Sequence, residues 1–238
     1  MENLIEHLEC RALFSSVPAG AQVLIESRGQ MVAGQTINIP VVVDSADFHV
    51  LNTDNNPIQL QLDIGPGQTQ ILGSATLKNG KAVFRHIRLT QAGGYTLEAI
   101  TEGASTSPTI FDVLSAPAST ATLEYANYDP NLGYEVINVR LTDKFGNWAT
   151  NDFSYIYLGP TQPLHAPVRI VTNYPGGNSK HNIFTYRGHT AVWDGGTSLF
   201  EFYLQNLSPS SQSASVKLVF SNHRLKPIWS PAIPGAIL

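Results

Sequence analysis

The chain has 238 residues, and only 13% of them are charged, against about 25% in a typical soluble protein. Its net charge of −4, without clustered Lys and Arg, argues against a nucleic-acid binder. The single cysteine, Cys10, excludes an internal disulfide framework and a cysteine-rich zinc site. A surface so poor in charge predicts contacts with partner proteins.

Residues 1–21 are predicted to form an N-terminal arm. Within it, residues 2–13 are compatible with a short amphipathic helix that carries Leu4, Ile5, Leu8 and Ala12 on one side. The arm lacks the basic and apolar regions of a secretory signal. No apolar run in the chain approaches the roughly 20 residues that span a membrane. We therefore expect no signal peptide and no membrane insertion.

From about residue 22 the apolar residues recur with a period of two, which predicts β-strands. Residues 58–64 alternate without interruption and place four aliphatic side chains on one face. This pattern is typical of a half-buried antiparallel strand. Residues 22–114 are therefore predicted to form one β-sandwich.

Residues 79–99 combine a turn, a strand and a group of cations. Asn79-Gly80 favours a type I′ turn, which needs positive φ at both central residues. Uninterrupted alternation after Phe84 would bury two of the polar residues that follow, which is costly without partners. A one-residue bulge after Phe84 instead keeps Ile87 inward. We predict the bulge and, on its outer side, a cationic patch open to an anion or a partner, consisting of Arg85, His86 and Arg88.

The same stretch follows a pattern of turns and strands known from other sandwiches. It reads Asn79-Gly80-x-Ala82-x-Phe84-x-x-Ile87-x-Leu89 and then Ala92-Gly93-x-Tyr95-x-Leu97-x-Ala99. Residues 53–58 and 143–147 supply matching polar turns, whereas residues 45–51 depart from the pattern as an insertion. Together they resemble the immunoglobulin-like domains of bacterial invasin-type adhesins and of accessory modules on phage virion proteins. The resemblance implies tandem Ig-like sandwiches with Tyr95 as the corner tyrosine, and it implies no ligand.

Residues 115–120 are small, polar and proline-containing, which is typical of a linker. After it, strands with a period of two resume, and all but five of the aromatic residues follow this point. Residues 121–226 are predicted to form a second, aromatic-rich β-sandwich. The predicted fold class is all-β, with two Ig-like domains in tandem and short terminal arms.

Residues 227–238 contain Pro227, Pro231 and Pro234 among apolar residues. Because proline cannot donate to a β-ladder, this segment is predicted to be an extended arm and not a core strand. We expect both terminal arms to lie on a neighbouring subunit. The predicted partner-binding residues are Leu4, Leu8, Ile228, Trp229, Ile233 and Leu238.

Several aromatic residues of the second half lie beside turn residues. Such aromatics either fill small satellite cores or form a recognition surface that stacks on sugars or packs against a protein. Both interpretations stay open from the sequence. The candidate binding aromatics are Tyr128, Trp148, Tyr174 and Trp193.

No sequence motif indicates catalysis, because GxSxG, HExxH and GxxxxGK[ST] are all missing. The spacing of His181, His189 and Asp194 matches no metal-ligand signature, so we predict solvent-facing loop residues. The Asx-rich turns, such as Asp143 with Asn147, are expected to cap their own backbone rather than bind calcium. We predict no enzyme activity, no catalytic residue, no metal and no cofactor.

The sequence therefore favours a non-enzymatic structural protein of a virus particle, such as a phage capsid decoration or cement protein or a tail-accessory protein. It would contact capsid or tail subunits, form a homo-oligomer, be made in the host cytoplasm and localise to the virion. One alternative is a glycan-binding adhesin or receptor-recognition module that uses the aromatics of the second domain. Another is an exported protein of the cell surface.

Overall fold

The computed structural model describes the chain apart from residues 1–19, 27–28, 48, 53–54, 66–67, 103, 107, 131–132, 165, 172–181, 187–188, 194–197, 210–211 and 237–238. The described residues form β-strands and no helix, which confirms the predicted all-β class. Two compact units divide the chain. Unit 1 comprises Met1–Met31, Gln35–Leu89 and Gly93–Val113, and unit 2 comprises Val32–Gly34, Thr90–Ala92 and Leu114–Leu238. The predicted N-terminal helix, with Leu4 and Leu8, lies outside the described residues.

The first half of the chain forms a β-sandwich of a three-stranded and a six-stranded sheet. Its strands are β1 (Gln22–Ile25), β2 (Gln30–Val32), β3 (Thr36–Asp44), β4 (Pro57–Gly65), β5 (Gln68–Thr76), β6 (Lys81–Arg88), β7 (Gly93–Thr101), β8 (Ala104–Ser105) and β9 (Thr109–Leu114). One sheet has the order β1-β3-β6, and the other β2-β9-β7-β4-β5, with β8 on β7. Ile58, Leu60 and Leu62 of β4 are buried, as the period of two predicts, whereas β3 buries three consecutive valines at positions 41–43.

The turn between β5 and β6 has the predicted conformation. Asn79 and Gly80 have φ values of 53° and 73°, and Lys78 and Lys81 exchange two backbone hydrogen bonds across them. A Cβ atom on Gly80 would lie 2.5 Å from the carbonyl oxygen of Leu51. Glycine is therefore required here by its positive φ and by the lack of space.

The bulge after Phe84 is confirmed by the register of β3 with β6. Phe84 lies opposite Ile39 and Ile87 opposite Ile37, so two residues of β6 face one residue of β3. The second of them, His86, has φ 60°. Phe84 and Ile87 are both buried, and the residues of the cationic patch are exposed, as predicted.

The prediction for residues 58–64 is wrong at one position. Ile58, Leu60 and Leu62 are buried, but Ile64 is exposed. The register of β4 with β5 shifts between Asp63 and Gly65, which places Ile64 in a bulge. A bulge re-aims the side chain it contains, and the alternation therefore ends at residue 62.

Unit 2 contains a second β-sandwich of two five-stranded sheets. Its strands are β10 (Thr120–Asp129), β11 (Tyr134–Thr142), β12 (Tyr155–Gln162), β13 (Val168–Ile170), β14 (Asn182–Tyr186), β15 (His189–Trp193), β16 (Leu199–Pro209), β17 (Ser215–Phe220), β18 (Ile228–Trp229) and β19 (Gly235–Ala236). The sheet orders are β10-β11-β16-β13, with β19 on β16, and β14-β15-β12-β17-β18. Residues from both sheets form one core, including Ile137, Leu141, Phe200, Phe202 and Phe220.

The C-terminal segment packs on its own domain, which corrects the prediction of a free arm. Ile233 is fully buried in the core of unit 2, and its backbone N–H and C=O pair with those of Ala214. Ile228 pairs with Leu218 in β17 and contacts the same core. Ile233 is therefore not available as a partner anchor, whereas Ile228 is half-buried. The three prolines interrupt the segment without preventing this, because β18 and β19 need only two residues each.

Candidate interaction surface

The connection between β11 and β12, residues 143–154, begins with a carboxylate that organises the backbone around it. One oxygen of Asp143 accepts hydrogen bonds from the N–H groups of Phe145 (2.8 Å) and Asn147 (3.0 Å). The other accepts from the N–H of Ala116 (2.9 Å) and the side-chain amide of Asn147 (2.8 Å). Asp143 is therefore a structural group that caps its turn, which is the role predicted for the Asx-rich turns.

The pKa of Asp143 reflects two opposed effects. Burial alone would raise the pKa of this carboxyl by disfavouring its charge, but the hydrogen bonds from Asn147, Ala116 and Phe145 stabilise the ionised form. The hydrogen bonds prevail, and the pKa lies below its ordinary value. The carboxylate stays ionised and holds the turn at neutral pH.

The other end of residues 143–154 is held in the same way. Asp152 is buried and accepts hydrogen bonds from the N–H of Ala118 (3.2 Å) and the side-chain amide of Asn222 (3.0 Å). The N–H and hydroxyl of Ser154 also donate to it. Ala116 and Ala118 belong to the segment interpreted as a linker, so that segment is bonded to both ends of the loop.

Between these two carboxylates the loop is compact. Thr142 and Trp148 form an isolated antiparallel bridge, and the N–H of Ala149 donates to the carbonyl of Leu141 (3.1 Å). The side chain of Ala149 is fully buried, which fixes the middle of the loop on the core. A loop held at both ends and in the middle presents its remaining side chains in a defined orientation.

Two of those remaining side chains are large, aromatic and exposed. Trp148 has 60% of its surface exposed and Phe153 has 71%. Large aromatics on a preorganised backbone lose little entropy on binding, and such residues are enriched at protein interfaces. Trp148 was predicted as a binding aromatic, and its exposure is compatible with that role.

Arg140 lies beside Trp148 and is paired with Glu124. The Cζ atom of Arg140 lies 4.3 Å from the centroid of the indole ring, within the range of a cation–π interaction. The Nε atom of Arg140 donates to Oε1 of Glu124 at 3.0 Å. The surface thus combines an aromatic ring, a guanidinium group and a carboxylate. We call Glu124, Arg140, Trp148 and Phe153 the loop surface.

The other candidate binding residues lie in strands or outside the described residues. Tyr128 does not lie in a loop but in β10. There it is half-buried and lies opposite the buried Glu135 of β11. Trp193 ends β15, but its side chain lies outside what the structure describes. Tyr174 and Leu238 also lie outside the described residues. Trp229 is 41% exposed in β18, opposite Lys217 of β17.

The cationic patch lies on the bulge of β6 in unit 1. The N–H of His86 donates to the side-chain oxygen of Asn38 at 3.2 Å, so the bulge is held by the single residue that it faces. The patch remains a predicted site for an anion or partner contact.

Three members of the loop surface were not predicted from the sequence. Phe153 carries the same signal as Trp148, because it follows the turn residues Asn151 and Asp152. Arg140 and Glu124 gave no such signal, since they lie on two strands that pair only in the folded domain. The ion pair between them depends on the register of β10 with β11.

Neither a metal-binding cluster nor a membrane-spanning helix occurs among the described residues. No group of three or more His, Cys, Asp or Glu side chains is arranged there to hold a metal ion. None of the described segments forms a helix long and apolar enough to cross a membrane.

The sequence matches no protein-family profile and no curated protein. Among solved structures it is similar to a β-glycosidase from Bacteroides vulgatus, with 12% identity, a TM-score of 0.36, and coverage of 91% of this chain and 25% of that chain. The adhesin InvE of Yersinia pseudotuberculosis has 11% identity, a TM-score of 0.36, and coverage of 91% and 58%. A superoxide reductase (neelaredoxin) from Ignicoccus hospitalis has 18% identity, a TM-score of 0.31, and coverage of 39% and 79%.

The chain thus spans a quarter of that glycosidase and little more than half of that adhesin. Likenesses with such low TM-scores establish neither function nor partner, since even a shared fold does not imply a shared function. The assignment of the β-sandwich fold rests on the strands and cores described above.

Proposed function

We propose that this protein is a non-enzymatic interaction protein and serves as a structural component of a virus particle, as a phage capsid decoration or cement protein or as a tail-accessory protein. It acts by contact with capsid or tail subunits and catalyses no reaction. The observation that carries the proposal is the loop surface: an exposed tryptophan on a backbone that is fixed by two buried carboxylates.

The arrangement of the aspartates supports a binding role over a catalytic one. Asp143 and Asp152 both accept backbone N–H groups, and these bonds occupy the lone pairs that a general base would need. The pKa of Asp143 is lowered, whereas a general base works best with a pKa near the operating pH. Both side chains are thereby used to shape the loop.

The exposed aromatics have the character of interface anchors. Trp and Arg are among the residues most often found as energetic hot spots, and here Trp148 and Arg140 are in contact. The Glu124 carboxylate holds the guanidinium in place. A partner that covers the indole would therefore meet a prearranged apolar and charged surface.

The direct experiment is to purify virus particles from a culture that encodes this chain and to quantify the protein in them by mass spectrometry. The proposal expects a fixed number of copies per particle, retained through density-gradient purification. If the protein is abundant in the lysate and absent from the particles, the virion assignment is wrong. A role as an interaction protein outside the virion would then be tested by the glycan array.

A second candidate function is glycan binding, which the neighbours of Trp148 favour. Indole rings stack on sugar rings, and the adjacent Arg140 and Glu124 offer a donor and an acceptor for hydroxyl groups. The test is a glycan array with the wild type, Trp148→Ala and Leu164→Ala. Leu164 is an exposed apolar residue elsewhere in unit 2 and serves as the control. Glycan binding predicts signals that Trp148→Ala loses and Leu164→Ala keeps, and the absence of any wild-type signal rejects it.

A further inference from the structure

Strand β5 ends the six-stranded sheet of unit 1. It pairs with β4 on one side, and no strand of the described residues pairs with it on the other. Its sequence, QTQILGSAT, contains neither a charged residue nor a proline. Nine residues make it a long edge strand. Such an edge presents unpaired N–H and C=O groups that can extend the sheet with another chain.

Edge strands in monomeric proteins are usually protected by charge, proline, bulges or short length. The edges β1, β2 and β8 have four residues or fewer. The other long edge strand of unit 1 is β6, which ends the three-stranded sheet. It carries the cationic patch and Lys81 and is bulged at His86. The patch therefore has a physical role as protection of this edge.

Strand β5 has none of the charged protection found on β6. Its ladder with β4 shifts at Leu72, which bends the strand but adds no charge. Ile71, near the centre of the strand, has 58% of its surface exposed. An uncharged strand with an exposed isoleucine is well suited to pair with another strand and poorly suited to remain in water.

We propose that β5 pairs antiparallel with β5 of a second copy of this chain, so that the two six-stranded sheets become continuous in a dimer. Two-fold symmetry makes such an interface isologous, since the same strand is used by both copies. With the two-fold axis placed at Ile71, the exposed residue near the centre of the strand, the two isoleucine side chains lie together among the neutral residues of β5. No pair of like charges opposes this contact, because β5 carries no charged residue in either copy. The same lack of charge argues against a charged peptide as the occupant.

The dimer is tested on the full-length protein by analytical ultracentrifugation between roughly 1 μM and 1 mM, a range that covers the affinities of small interfaces. The expected result is a doubling of the mass with rising concentration. Hydrogen exchange should slow for the β5 amides in parallel, because they gain partners in the dimer. A monomeric mass over the whole range overturns the proposal.

A charged residue introduced at the two-fold axis of the proposed dimer tests the contact specifically. Ile71→Lys should weaken dimerisation about tenfold or more, since an apolar cross-strand pair is replaced by two like charges. The control is Ile110→Lys, because Ile110 is 76% exposed on β9, which lies inside the same sheet and not at its edge. This control should dimerise like the wild type.

Mixing two variants separates a contact between copies from a loss of folding. Ile71→Lys and Ile71→Glu should each be monomeric alone, and an equimolar mixture should form a heterodimer because opposite charges then meet at the axis. Recovery of the doubled mass in the mixture supports the proposal. It is overturned if the mixture stays monomeric, or if Ile71→Lys and Ile110→Lys dimerise equally. The loop surface plays no part in this contact, so the outcome is independent of the proposed function.

Discussion

The guanidinium carbon of Arg140 lies 4.3 Å from the centre of the Trp148 indole ring. The two residues are joined by a turn in which Asp143 accepts three hydrogen bonds, and Nε of Arg140 donates to Glu124. An exposed tryptophan is thereby given one orientation. The binding role proposed for unit 2 depends on this relationship.

The energy of this contact can be measured with a double-mutant cycle of Arg140→Leu and Trp148→Leu. We expect a coupling free energy of about 0.5–1 kcal/mol, typical of a cation–π pair near the surface. All three tryptophans belong to unit 2, so urea unfolding followed by tryptophan fluorescence reports on this unit. Strictly additive single effects would show that the ring and the cation do not interact in solution.

Removing the carboxylate of Asp143 should destabilise unit 2. Asp143→Ala leaves three backbone N–H groups without their acceptor, and we expect a loss of about 3 kcal/mol. Asp143→Asn keeps one acceptor oxygen and should lose less. Tryptophan fluorescence in urea at pH 7 measures both, and an Asp143→Ala variant as stable as the wild type would contradict the structural role of this carboxylate.

The lowered pKa of Asp143 also predicts a pH dependence. A carboxyl whose pKa is lower in the folded state than in the unfolded state contributes stability above its unfolded pKa, and this contribution is lost as the pH falls through the folded pKa. The free energy of unfolding of the wild type should therefore approach that of Asp143→Asn as the pH is lowered below the ordinary range of aspartate pKa values. A constant difference between the two proteins over that range would contradict the assigned hydrogen bonds.

The pKa of Glu135 is shifted in the opposite direction to that of Asp143. Glu135 is buried in β11, and burial raises the pKa of its carboxyl. The folded state therefore retains the proton to higher pH than the unfolded state, and stability is lost as the pH rises through the interval between the two pKa values. Glu135→Gln should be more stable than the wild type at pH 7, with the gain vanishing at acidic pH. A gain independent of pH would reject this explanation.

The bulge of β6 predicts which residues position 86 accepts. His86 has φ 60°, a conformation that glycine adopts freely and that β-branched residues strongly disfavour. His86→Val should be less stable than His86→Gly by about 1–2 kcal/mol, measured by calorimetry of the full chain. Equal stability, or a more stable valine variant, would mean that the strand continues without the bulge, because valine favours regular strands.

The sequence predicted those features that depend on local pattern. Alternation of apolar residues and the Asn79-Gly80 turn were sufficient to place the bulge after Phe84, because a regular strand would bury cations there. The burial of Ile233 was missed because it depends on pairing with Ala214, 19 residues earlier. Prolines flank this pairing and break the local pattern. The contact of Arg140 with Trp148 was missed for a related reason, since no periodicity relates a strand residue to a loop residue.

Incorporation into virus particles tests whether the loop surface is where this protein binds its partner. Tagged wild type, Trp148→Ala, Phe153→Ala and the control Leu164→Ala are expressed during particle assembly, and the copies per purified particle are counted. We expect Trp148→Ala and Phe153→Ala to be incorporated about tenfold less or worse, while Leu164→Ala matches the wild type. If both aromatic variants are incorporated like the wild type, with their folding verified by fluorescence, the loop surface is not the binding site.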